Sequence, residues 1–393
     1  MSKVKKNAAL ELALELMAIP GPPGAEAEVA KTISDKLLAA GAPAGAIQSD
    51  TAHRRTPVKG DTGNFVLKLP GTHKGPRRLL MAHMDTVPLC VGSRPVVRGR
   101  LVHSRDKHTG LGADNRAGCA VVLHTAIEIL TRKLPHPPLT FLWTVQEEVG
   151  LHGARLLKTS MLGKPRLAFN WDGGSPEKLT IGATGGYRIA IEIGGIASHA
   201  GGAPEEGVNA ITIAGLAIAD LQANGWLGLI EKGRGVGTSN IGVIEGGAAT
   251  NVVTDRVTIR AEARSHDPKF RKRIVAAIEK AFERAAKAVT NDAGECGNVK
   301  FDGRTDYESF KLKLGEPCVR AAKDAIEQLG GEPEFAIANG GLDANWMNAH
   351  GIPTVSMGCG QLNIHTVSEQ LDIANFRRAC EIAMHLATDG AAT

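Results

Sequence analysis

An α/β fold is what this sequence of 393 residues predicts: a mostly parallel sheet covered on both faces, with a smaller αβ sandwich inserted into it. Three observations lead there. Through residues 1–183, short apolar runs alternate with stretches of helical spacing, the pattern of a parallel sheet whose crossovers are helices. From 184 to 311 the grain changes to period-two strands and long amphipathic helices. From 312 to 393 the first pattern resumes, so the outer segments form one discontinuous domain around an insertion.

The elements follow in order. Helices are expected at 7–18 and 25–40, separated by the breaker Pro20-Gly21-Pro22-Pro23-Gly24 and ended by Gly41. Apolar runs at 65–69, 79–82, 139–144 and 167–169 read as strands, and 117–130 reads as a helix apolar on most faces. In the insertion, strands are expected at 187–193, 239–244 and 255–263. Helices are expected there at 208–224 and 268–288, the second with Pro268 at its start. A last strand falls near 299–301 or 307–311. The final segment holds a helix at 318–329, closed by Gly330-Gly331, and a strand at 353–356.

Composition narrows the function classes. A net charge of +5 is small for this length, and the basic residues are scattered apart from a short tail at Lys3, Lys5 and Lys6, so no nucleic-acid module is indicated. No run approaches the roughly 20 apolar residues of a membrane span, and Leu10, Ala13, Leu14 and Met17 have amphipathic spacing unlike a signal peptide. The six cysteines contain no CxxC, which argues against a disulfide scaffold or a thiolate zinc site and for a reducing cytoplasm.

Five acid and imidazole stations carry the chemistry: His83-Met84-Asp85-Thr86, Ala113-Asp114-Asn115, Glu147-Glu148, Asp172-Gly173 and Asn363-Ile364-His365-Thr366. Each follows a short apolar run, which places it at a strand end, where ligands of open α/β sheets bind. Carboxylates mixed with imidazole suit one or two Zn²⁺, Mn²⁺ or Co²⁺ ions. His83 and Asp85 share a face of an extended segment, so Asp85 can accept the second imidazole N–H and fix the tautomer. Asp114 is also placed for a helix N-cap. Glu147 and Glu148 would point to opposite sides if extended, one to chelate and one to face the cleft, and physics alone does not say which. Five carboxylates brought together repel unless cations or protons join them, and two divalent ions offset four of those charges.

In this order the stations HxDT, GADN, EE, DG and NxHT resemble the M20 family of di-metal peptidases and deacylases, most of all its peptidase T branch. Ser198-His199-Ala200-Gly201 and Gly246-Gly247-Ala248-Ala249-Thr250-Asn251 extend the likeness over nearly the whole chain. The resemblance implies a zinc-exopeptidase-like domain with an inserted lid or dimerisation domain, and two divalent ions, zinc foremost. It makes Asp114 the bridge between one ion held with His83 and Asp172 and another held with Glu148 and His365. It makes Glu147 the general base and implies a cis peptide at Asp114–Asn115. His199 would support the oxyanion, in some relatives across a dimer. Arg264 would take the substrate carboxylate, Asn251 would add a donor, and Gly341 would belong to a substrate-pocket loop.

The function expected is therefore hydrolysis of short peptides, with aminopeptidase action on tripeptides as its most specific form. An N-acyl-amino-acid deacylase or carboxypeptidase shares the same centre. A non-catalytic peptide-binding protein on the same fold is the alternative of another class.

Overall fold

The computed structural model describes residues 8–390, so the basic tail lies outside the described residues. These residues divide into two compact units. One runs to Ala183 and resumes at Lys311; the other is Thr184–Phe310.

The first unit holds a nine-stranded sheet, mainly parallel at its centre. Leu139–Thr144, Arg78–His83, Leu167–Trp171 and Thr354–Met357 lie side by side in that order and run parallel. All six side chains of Leu139–Thr144 are buried, as a strand covered on both faces requires, which explains its unbroken Leu-Thr-Phe-Leu-Trp-Thr sequence. The long helical segment Ala113–Arg132 packs on this sheet and shares a core with Ala8–Ala18, Ala27–Ala39 and Ile373–Thr388. A second, antiparallel sheet joins Pro95–Arg98, Leu101–Ser104, Gln370–Asp372 and Gln361–Leu362.

The Thr184–Phe310 unit is a five-stranded antiparallel sheet with two helices. Burial along Arg256–Ser265 alternates, because one face packs on helices and the other meets solvent. Ile189, Ile191 and Ile193 meet Ala214, Ile274, Ile278 and Phe282 of Ala210–Ala223 and Pro268–Ala288 in its core. Pro268 begins its helix at no hydrogen-bonding cost, and Asp267 caps it by accepting the Lys269 N–H at 2.8 Å.

Several strands escaped the sequence reading. Ile47–Ser49, Pro95–Arg98 and Gly228–Lys232 are short and mostly unburied, and they lack a sustained apolar run; Glu334–Ala338 has one, Phe335–Ala338, but it is only four residues long and none of it is buried. The two sites expected for the last insertion strand both belong to strands, Asn298–Tyr307 and Phe310–Lys311. Outside the five stations, His136 and His152 are also buried.

Candidate metal centre

Because the four central strands are parallel, their carboxyl ends lie on one edge of the sheet, and three stations follow those ends. His83 closes Arg78–His83, Glu147 and Glu148 follow Leu139–Thr144, and Asp172 follows Leu167–Trp171. His365 arrives beyond Gln361–Leu362, in the loop that returns to Gln370–Asp372.

Asp114 stands at the middle. Its Oδ1 lies 3.3 Å from His83 Nε2 and its Oδ2 3.2 Å from His365 Nε2. His365 Nε2 also lies 2.9 Å from Glu148 Oε2, and His83 Nε2 is 4.0 Å from both Asp172 Oδ2 and Glu147 Oε2. Two groups could therefore each hold a metal ion, His83 with Asp114 and Asp172, and Asp114 with Glu148 and His365. Ligand atoms within each group lie within 4.8 Å of one another. The donor set fits such ions. Asp114 Oδ1 is buried without a hydrogen-bond partner, a costly state for a carboxylate oxygen that a cation removes.

The electrostatics agree with a cation site. Burial raises Asp172 to about 7, with nearby Asp114 adding to it. Burial also raises Glu147 and Glu148. Burial opposes the ionisation of Asp114, but His365 and His83 outweigh it and hold this carboxyl below its usual range. Asp114 and Glu148 raise His365 to about 10. Burial disfavours a charged His83, yet Glu147, Asp114 and Asp85 together raise it well above the ordinary value. A cluster that gathers protons this strongly is short of positive charge, which divalent ions supply.

The backbone around these ligands is held by buried carboxylates, and here the structure departs from the sequence reading. His83 Nδ1 meets the backbone carbonyl of Asp85 at 3.1 Å, while the nearer carboxylate oxygen is 3.4 Å away. That carbonyl fixes the tautomer with Nδ1–H as donor and turns the Nε2 lone pair toward Asp114. The Asp85 carboxylate accepts instead the backbone N–H of Glu147 and that of Glu148, each at 3.0 Å. The two glutamates are not extended. Gln146 has a φ of +55°, and the carbonyl of Glu147 accepts the N–H groups of Gly150 and Leu151, so a turn brings both carboxylates to the cluster.

Asp114 does not cap its helix either. Its backbone is non-helical, the Asp114–Asn115 peptide is cis as the resemblance implies, and Asn115 Oδ1 accepts the Gly118 N–H at 3.1 Å.

Three acids were missed. Glu26 Oε1 accepts the Gln146 N–H at 3.0 Å, and burial reinforced by Asp85 raises this carboxyl to about 8. Glu369 Oε2 accepts the N–H groups of Leu111 and Gly112 at 2.8 Å each, and its Oε1 accepts that of Asp114 at 2.9 Å. Asp343 is buried, accepts the Thr144 hydroxyl, and is raised to about 6 by burial despite His83 and Thr144. Only Asp343 carried a signal, from its place in Gly340-Gly341-Leu342-Asp343. Gly341 itself lines a cavity of about 220 Å³ with Asp172, Lys178, Thr180 and Ser356.

The remaining candidates lie in the Thr184–Phe310 unit. His199 is exposed, and its Nδ1 accepts the N–H groups of Gly201 and Gly202 at 3.1 and 2.9 Å. Nε2 is therefore the protonated nitrogen of the neutral ring and a free-facing donor. The Asn251 carbonyl accepts the Ala200 N–H at 3.0 Å, so this segment lies against the His199 loop. Arg264 is held by Glu262 in two hydrogen bonds of 2.9 Å.

Known proteins resemble this chain over its full length. Protein YqjE of Bacillus subtilis (strain 168) is 34% identical over 390 residues, covering 99% of this chain and all of the relative. Carboxypeptidase G2 of Pseudomonas sp. (strain RS-16) is 30% identical over 344 residues, 84% of this chain and 77% of the relative. Two solved structures superpose closely, each covering 98% of both chains. A Staphylococcus aureus tripeptidase has a TM-score of 0.87 at 31% identity, and aminopeptidase PepT of Bacillus cereus has 0.83 at 32%. Residues 79–389 match the profile of peptidase family M20/M25/M40. With that match over most of its length, on a mixed α/β fold whose stations converge at one sheet edge, the chain belongs to peptidase family M20/M25/M40 and is a hydrolase of peptide bonds.

Proposed function

We propose that the protein is a two-metal exopeptidase of short peptides, an aminopeptidase acting on tripeptides. The observation that carries this is the placement of Asp114, whose two oxygens face two separate donor groups while Glu147 stands beside them and belongs to neither. His83, Asp114 and Asp172 would hold one ion, and Asp114, Glu148 and His365 the other. Zinc suits this donor set best, with manganese or cobalt as the alternatives. Two bound ions would supply Lewis-acid activation of a water and polarisation of the scissile carbonyl.

The chain supplies the rest. Glu147 takes the proton of the attacking water at its carboxylate and returns it to the leaving amine nitrogen. His199 donates from Nε2 to the developing oxyanion, which requires the Thr184–Phe310 unit to act as a lid or a second subunit to supply it. Arg264 and Asn251 meet the substrate, and Gly341 bounds its pocket. Exposed Ile211, Leu216, Leu229 and Val236 support a homodimer through the inserted unit. Six free cysteines, five of them buried, support a reducing cytoplasm.

Tripeptide action draws support from the likeness to the S. aureus tripeptidase and to PepT. Likeness to carboxypeptidase G2 favours a second reading, carboxypeptidase or N-acyl-amino-acid deacylase on the same centre. The test is Ala-Ala-Ala against N-acetyl-alanine and an N-blocked dipeptide, with zinc-loaded protein. Release of the N-terminal alanine from the free tripeptide, with the blocked substrates inert, supports the proposal. Cleavage of the blocked substrates alone replaces it with the second reading.

A further inference from the structure

One short segment reaches both halves of the centre. His365 and Glu369 lie four residues apart, and the first contacts Asp114 by its ring while the second grips the Asp114 backbone. The Glu369 side chain is almost wholly buried, and both oxygens are used: Oε2 by the N–H groups of Leu111 and Gly112, Oε1 by that of Asp114. Three charge-assisted bonds to consecutive parts of one loop leave that loop little freedom. Gly112 turns there with a φ of +79°, in the region that favours glycine, so the loop's shape depends on acceptors from outside it.

We propose that Glu369 is a positioning residue for both metal groups: by clamping Leu111–Asp114 it fixes the orientation from which Asp114 presents one oxygen to each. Asp114 is shared, so a loosened clamp weakens the two groups together, whereas loss of His365 or of Asp172 weakens only its own. The inference rests on the two-metal reading of the centre. Its chemistry is that of an outer carboxylate acting through a ligand, where mutation commonly costs about 10–100-fold in metal affinity.

The test is zinc binding to metal-stripped full-length protein, followed by calorimetry, for wild type, Glu369→Gln and Glu369→Asp. The glutamine turns its amide N–H₂ against backbone donors, and the aspartate falls short of them. Both variants are expected to bind each of two zinc ions about 10–100-fold more weakly, with turnover recovered by excess zinc and KM then unchanged. Two sites of wild-type affinity in the variants would overturn the proposal. If wild type itself binds no second ion, the two-metal reading fails, a separate outcome. Amide hydrogen exchange of the wild-type protein needs no variant to fold. Slow exchange at Leu111, Gly112 and Asp114, relative to exposed loop amides, is expected, and exchange as fast as theirs would also overturn it.

Discussion

Asp85 Oδ1 accepts the backbone N–H of Glu147 at 3.0 Å, so this carboxylate fixes the residue proposed as base, while the Asp85 carbonyl serves the imidazole of His83. Its other oxygen does the same for Glu148. Asp85→Asn keeps one acceptor and sets an amide N–H₂ against the second backbone donor, leaving a buried clash of two donors. Turnover is expected to fall about 10–100-fold, with His83 still oriented by a backbone carbonyl that the substitution leaves in place. Steady-state kinetics beside zinc content checks this, and full activity would remove the clamp from the mechanism.

Glu147→Gln tests the base itself. Glu147 belongs to neither donor group, so zinc stoichiometry should stay at the wild-type value while turnover falls about 10²–10⁴-fold. Elemental analysis with single-turnover kinetics reads both. Lost zinc in the variant would make Glu147 a ligand instead.

For His199 the expectation follows from its tautomer. With Nδ1 occupied by the Gly201 and Gly202 N–H groups, only Nε2–H faces outward, and His199→Ala removes that donor. A loss of about 10²–10³-fold in turnover with little change in KM is expected. Mixing His199→Ala with Glu147→Gln subunits, after exchange is demonstrated, distinguishes delivery from a partner, seen as recovered activity, from closure within one chain.

Glu26 gives a pH dependence whose sign can be worked out. Its folded-state value of about 8 exceeds the ordinary 4.5, so the folded protein holds this proton where the unfolded chain has lost it. Stability from this group is then present below about 4.5 and falls as pH rises through about 8. Glu26→Gln keeps an acceptor for the Gln146 N–H and cannot ionise, so its Tm should exceed that of wild type more at pH 9 than at pH 5. Parallel Tm curves for the two proteins would contradict the assignment.

The strands that position the centre were legible because buried parallel strands are written as unbroken apolar runs, and Leu139–Thr144 matched its expected bounds at both ends. The turn at Glu147 and Glu148 was not, since Gln146 takes a positive φ without the glycine or asparagine that would announce it. Glu26 and Glu369 escaped for a different reason. Their partners are backbone N–H groups 120 and 255–258 residues away, and a main-chain donor leaves no mark in the side-chain pattern. Arg116, wholly buried at 0% exposure one residue before the segment read as an apolar helix, shows the same limit: its guanidinium reaches the Gly21 carbonyl, a contact only the folded chain defines.

The long return of the chain from Trp171 to Thr354 has a consequence for synthesis. Thr354–Met357 pairs with Leu167–Trp171 only after the whole Thr184–Phe310 unit has been made. On the proposed ligand set, a ribosome-bound chain that ends before His365 has donors for the first ion alone, and one that ends before Glu369 lacks the acceptor for the Asp114 loop. On that ligand set, the second donor group and the clamp on the Asp114 loop both wait for the segment from His365 to Glu369, so the proposed hydrolysis cannot begin in a nascent chain shorter than this.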